Sequence, residues 1–251
     1  MELVQQYIAQ DRWRQWDRML AEVPVLDSDT VLDLGCGPGS VTARLASRAY
    51  QVIGVDRDPG LLKAARQRCP SNCRFVEGDV RDLGRRGLGQ ADGIWSSFLP
   101  AYFPELGKAL QSWLPFLGSN GWIALVEVDR MLAGHHPLPD DVRSSLDEFE
   151  TFMRASRLYD FGMGSKLKLF VQGAGLEVVH ESVWEDAELA FQGAAPPEMI
   201  EAWRHRFARM KKMQGYFRNR FAPIRDRFLE CLSSPLHPSD ASLVLVIARK
   251  R

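Results

Sequence analysis

The sequence predicts an α/β fold built on a doubly wound, mostly parallel sheet, and three observations carry the prediction. Strand-like apolar runs alternate with helical patterns from Asp27 to Val128, the order that generates parallel βαβ units. The run Val31-Leu32-Asp33-Leu34 passes directly into Gly35-Cys36-Gly37-Pro38-Gly39 and then a helix start, so a buried strand meets a turn that approaches a ligand closely. The next two runs, Val52 to Val55 and Arg74 to Gly78, lead into Asp56 and Asp79. Carboxylates thus stand at successive strand ends, where open α/β sheets bind ligands.

Residues Met1 to Glu22 read as a helix with Val4, Ile8, Trp13, Trp16 and Leu20 toward the core. Ser40 is the expected N-cap of the helix Val41 to Arg48. Asp58-Pro59 starts the next helix as N-cap and first-turn proline, with Leu61, Leu62 and Ala65 inward. The fourth strand is Ala91 to Trp95. Pro104 opens a helix that presents Leu106, Leu110, Trp113 and Leu114 and stops at Gly118, and the fifth strand runs from Trp122 to Val128. Beyond it, Asp140 to Arg157 and Ser165 to Gln172 read as helices, and Leu176 to Val183 and Ser242 to Ala248 as strands. The interval between these strands repeats Trp203, Phe207, Met210, Phe217, Phe221, Ile224 and Phe228 at three- and four-residue steps, which predicts one or two amphipathic helices interrupted near Gly215 or Pro223.

The 251 residues suit one α/β domain with insertions. Lys and Arg number 32, as do Asp and Glu, so no global field draws the chain to nucleic acid or an anionic membrane. The charged amino terminus lacks a signal-peptide core, and no stretch approaches the ~20 apolar residues that span a bilayer. A cytoplasmic location with no membrane partner is expected. Four cysteines include no pair of C-x-x-C motifs, so neither zinc nor a disulfide is expected, and no metal.

The glycine segment VLDLGCGPG, followed by Asp56 and Asp79, resembles the class I S-adenosylmethionine-dependent methyltransferases, of the small-molecule type. The spacing departs from the dinucleotide pattern G-x-G-x-x-G, whose third glycine would fall on Ser40. No Lys follows the loop as in a phosphate-binding Walker motif. The resemblance implies a Rossmann-like, seven-stranded sheet with its last strand antiparallel, carrying helical insertions that form a lid. The resemblance is specific over Thr30 to Val128, looser over Tyr159 to Val183 and nearly silent over Trp184 to Ser239, and the residue patterns divide the chain into an amino-terminal helical cap at 1–26, a core at 27–183 and 240–251 with a helical insertion at 130–160, and a helical insertion at 184–239 that is a candidate substrate lid. It also implies S-adenosyl-L-methionine as cofactor, with Gly35, Cys36 and Gly37 at its methionyl and ribose end and Asp56 on the ribose. Asp79 and Val80 would frame the adenine, and Asp33, Gly39, Arg57, Ser96 and Ser97 complete the implied set. The plainer reading makes the glycines a tight turn and the carboxylates ordinary strand-end caps.

Methyl transfer needs orientation and exclusion of water, with a base only if the acceptor must lose a proton. Segments after strands four and five are expected to form the acceptor pocket, with Phe98, Tyr102, Tyr159, Phe161 and Met163 making it largely apolar. The expected acceptor is therefore a small aromatic or hydrophobic molecule methylated on oxygen or nitrogen. His135 and His136 are the candidate bases, against the plainer reading of a polar loop. Glu127 and Asp129 either hold an amine or cap the strand end. Between Trp203 and Glu230, nine cations stand against Asp226 and Glu230. This face is a solvated helix surface, a lid for an anionic or phosphate-bearing substrate, or a homodimer surface. Competing functions are an RNA or protein methyltransferase using that face, a binding module without transfer, and a nicotinamide-dependent oxidoreductase.

Overall fold

The computed structural model describes residues 2–251, so Met1 of the expected first helix lies outside them. Seven strands form one sheet: β1 (Thr30–Leu34), β2 (Gln51–Asp56), β3 (Cys73–Glu77), β4 (Ala91–Ser97), β5 (Leu117–Asp129), β6 (Glu177–Trp184) and β7 (Ser242–Arg249). Their order is β3-β2-β1-β4-β5-β7-β6. Strands β1 to β5 pair in parallel, while β7 lies antiparallel between β5 and β6. The order reverses between β1 and β4, which opens a crevice beyond their carboxyl ends.

The helices are α1 (Leu3–Gln10), α2 (Trp16–Glu22), α3 (Ser40–Ala46), α4 (Pro59–Arg68), α5 (Leu106–Trp113), α6 (Asp140–Ala155), α7 (Leu167–Gly173), α8 (Pro197–Arg209), α9 (Lys211–Phe217) and α10 (Phe221–Leu232). Two apolar layers follow from strand alternation. Val31, Val52 and Trp95 pack with α2, α3, α6 and the inserted helices; Leu32, Leu34 and Ile94 pack with α5 and α7. No helix among the described residues is long and apolar enough to cross a membrane.

Several boundaries differ from expectation. The amino-terminal segment is two helices, broken where Arg14 leaves helical geometry and forms buried ion pairs with Asp186 at 2.7 Å and Glu188 at 2.6 Å. Glu188 also pairs with Arg206 at 2.6 Å, so the network joins the amino terminus to the 184–239 insertion. Gly118 lies within β5 rather than ending a helix, because α5 stops at Trp113 and a short 3-10 turn follows. The inserted helices break at Met210 and Arg218 rather than at Gly215 or Pro223. Pro223 falls in the first turn of α10, where its missing N–H breaks no helical bond. Ser40 is the first residue of α3 and its Oγ is buried without a partner, while Gly39 at φ +84° is the N-cap. The left-handed turn at Gly39, not a serine hydroxyl, delivers the chain into this helix.

Candidate cofactor and acceptor site

The glycine loop is tied to β2 by backbone bonds. Gly35 N and Cys36 N donate to Val55 O at 2.8 and 3.1 Å. Gly37 N donates to Asp56 Oδ2 and Asp58 N to Asp56 Oδ1, each at 2.9 Å. Each Asp56 oxygen keeps a second lone pair for a hydroxyl donor. A Cβ at Gly37 would meet nothing within 4 Å, whereas one at Gly39 would lie 2.5 Å from Cys69 Sγ. The loop is thus packed from behind and open in front, and it fits a nucleoside held against backbone and carboxylate.

Asp33 is 2% exposed and accepts a bond from Thr42 Oγ1 at 2.6 Å, which locks β1 to α3. Burial pushes its carboxyl up to about 7, against the Thr42 bond, and Asp56 adds to the rise. The Cys36 thiol is kept protonated by burial and by Asp33 and Asp56. At the third strand end, Asp79 is chelated by Arg81, with Nη2 at 2.5 Å and Nε at 2.9 Å, and that side-chain bonding holds its pKa below the usual range despite partial burial. Arg57 acts electrostatically on both Asp79 and Tyr102, so its guanidinium lies within reach of the third strand end and of the segment after β4. Val80 is buried, and its carbonyl accepts from Trp113 Nε1 at 2.9 Å. Ser96 Oγ donates to Leu34 O at 3.0 Å, joining the tips of β1 and β4, and Ser97 Oγ accepts from Trp95 Nε1 at 3.2 Å.

On the acceptor side, Tyr102 and Tyr159 meet edge to face at 4.9 Å. Phe98, at φ +53°, packs on Trp16 at 5.8 Å and under Arg14. Tyr102 is 53% exposed, and its partial burial raises its pKa, with Tyr7 and Glu127 adding and Arg57 and Arg206 opposing. Arg209 hydrogen-bonds Gln6 and lies 5.6 Å from the Tyr7 ring centre. Burial and then Arg206 lower the Arg209 pKa. Three tyrosines from different segments and two guanidinium groups of α8 therefore share one neighbourhood.

Other expected site residues lie elsewhere. Phe161 is 4% exposed and packs on Phe149, and Met163 has no exposed surface and packs with Leu167 and Val171 in the other layer. These two are core residues rather than pocket walls. His135 is likewise misplaced for a base. It has no exposed surface, its Nδ1 sits 2.9 Å from His237 Nε2, and Trp203 and Phe228 enclose it at 5.4 and 5.2 Å. Burial first, then His237, pulls its pKa down to about 3. His136 lies in a partly exposed loop beside Arg143 and Asp240. Glu127 takes the capping role: it is fully buried and accepts from Ala101 N and Val128 N, each at 2.9 Å. Burial lifts its carboxyl to about 7, against those two backbone bonds, with Asp160 adding. It fixes the turn that carries Tyr102. Arg14 and Leu99, whose side chain covers Gly35, were not legible from local sequence. No group of three or more His, Cys, Asp or Glu side chains among the described residues is arranged to hold a metal.

Residues 31–121 match the methyltransferase-domain family. The chain is 33% identical over 138 residues to a trans-aconitate 2-methyltransferase of Escherichia coli, an alignment covering 54% of each protein. It spans about half the length of the curated relatives it matches. Among solved structures, a Bacillus halodurans protein assigned as a methyltransferase superposes with a TM-score of 0.64 at 16% identity, covering 94% of this chain and 98% of that one. An N-methyltransferase of Haemonchus contortus, solved with phosphomonomethylethanolamine and S-adenosylhomocysteine, superposes at a TM-score of 0.55 and 17% identity, covering 94% and 52%.

Proposed function

Because the chain belongs to the class I S-adenosylmethionine-dependent methyltransferase family, we propose that it methylates a carboxylate oxygen of a small organic acid. S-Adenosylmethionine, when bound, supplies a methyl group already activated on a sulfonium. Gly37 and Asp56 would hold its ribose, and Arg57, Asp79 and Val80 would border the adenine. The location of Arg209 beside Tyr7 and within electrostatic reach of Tyr102, with Arg206 already paired to Glu188, supports this reading above all. Guanidinium groups bind carboxylates through paired, charge-assisted hydrogen bonds. Tyr102 and Tyr159, meeting edge to face, add an aromatic corner for an apolar body.

A carboxylate acceptor is ionised at neutral pH and has no proton to lose, so the reaction needs no general base. The enclosure of His135 is consistent with that chemistry. The relatives named for trans-aconitate offer a parallel for the acceptor class. The test is a methyl-transfer assay over a panel of di- and tricarboxylic acids, phenols and amines. Carboxylates are expected to react, and Arg209→Ala should raise KM about tenfold while kcat falls less, as lost ground-state binding requires. Methylation of phenols or amines with all carboxylates inert would refute the proposal.

A further inference from the structure

A second concave surface lies on the outer side of the inserted helices, on the flank of α8 away from the acceptor site. Trp203 and Phe207 face the core. At about 100° per residue, Arg206 and Arg209 fall on one side of that stripe and Arg204 and Ala208 on the other. Arg204, Lys211, Arg218, Phe221 and Arg225 line a cavity of about 550 Å³ there, and no acidic residue lines it.

The cations are poorly neutralised. Lys211 Nζ reaches only Gln214 Oε1, at 3.4 Å, and Arg218 has no carboxylate partner among the described residues. Arg204 meets Glu201 only at 4.0 Å, while Arg225 is paired with Asp226 at 2.8 Å. Like charges gathered around a concavity repel one another, and an anion seated among them removes that repulsion. Arg218 also occupies φ +51°, ψ −119°, a strained conformation for a residue with a side chain, of the kind that collects at ligand sites. Phe221 supplies an aromatic surface, with the Arg225 guanidinium 5.9 Å from its ring centre.

We propose that this cavity binds a nucleoside polyphosphate, with the phosphates among Arg204, Lys211 and Arg218 and the base against Phe221. The volume lies within the range of small-ligand pockets, about 300–1,000 Å³, and multiple uncompensated cations match a polyphosphate better than a single carboxylate. The site is separate from the acceptor opening and does not depend on the identity of the acceptor.

The experiment is calorimetric titration of protein saturated with S-adenosylhomocysteine, so that the cofactor site is closed to adenine nucleotides. ATP, pyrophosphate, adenosine and an oligouridylate are titrated in turn. ATP and pyrophosphate are expected to bind, adenosine not, with affinity falling as salt is added. Lys211→Ala and Arg218→Gly should each weaken ATP binding about tenfold or more. Glycine accepts the backbone angle at position 218, so its variant should melt no lower than the parent and keeps the test clear of misfolding. Three results would overturn the proposal: neither ATP nor pyrophosphate binding at millimolar concentration, ATP affinity unchanged in both variants, or adenosine binding as tightly as ATP. Oligouridylate binding with ATP inert would also overturn it, by identifying a nucleic-acid surface.

Discussion

Adding one methyl group at Gly37 and, separately, at Gly39 distinguishes contact with the cofactor from support of the fold. Both residues have left-handed backbones, at φ +54° and +84°, so alanine costs about 1–2 kcal/mol of conformational strain at either position. At Gly37 the new Cβ meets nothing within 4 Å, and strain is the whole effect on stability. At Gly39 it lies 2.5 Å from Cys69 Sγ and 3.1 Å from Ala65 Cβ, which adds about 1–3 kcal/mol of overpacking. Gly39→Ala should therefore lose about 2–5 kcal/mol in total. Urea unfolding measures these losses, and calorimetric titration with S-adenosylhomocysteine at a temperature where both variants are folded measures binding. Gly37→Ala should lose cofactor affinity far more than its modest instability explains, because its methyl group occupies the open front of the loop. Gly39→Ala should show the reverse balance. Parental affinity in Gly37→Ala would refute the placement of the cofactor against this backbone.

Two further outcomes concern pH. Asp33 titrates near 3.8 when unfolded and near 7 when folded, so the stability it gives while protonated is present in acid and lost as pH rises through about 7. Asp33→Asn keeps the acceptor for Thr42 and should shrink that loss, on the order of a few kcal/mol between pH 5 and pH 8; an unchanged pH profile in urea unfolding would sink the assignment. His135 shifts oppositely, from 6.5 to about 3, so stability falls as pH drops below about 6.5 and the unfolded chain takes up the proton. His135→Phe should flatten this acid limb and leave turnover intact, whereas loss of turnover in a folded variant would restore the histidine as a base.

The parallel half of the fold was legible because each of its signals is local: a buried run, a glycine turn, a helical stripe. The contact between Asp56 and the glycine loop is local for the same reason, since β1 and β2 pair in register and bring Leu34 opposite Val55. Features built by distant partners were not readable. His135 looks like a loop base until His237 and Trp203 close around it. Arg14 looks like a helix-surface charge until Asp186 and Glu188 arrive from the insertion. Phe161 and Met163 followed the acceptor-wall pattern in sequence, but packing against α6 and α7 took both into the core. Ser40 had the usual capping chemistry, yet the positive φ of Gly39 moved the cap back by one residue.

The most direct measurement is a crystal structure with S-adenosylhomocysteine bound. The ribose hydroxyls should lie within about 2.7–3.2 Å of the Asp56 carboxylate, with the nucleoside against Gly37 and the sulfur facing Tyr102. Density for the ligand away from the carboxyl ends of β1, β2 and β3, or a ribose that leaves Asp56 bonded only to Gly37 and Asp58, would contradict this placement.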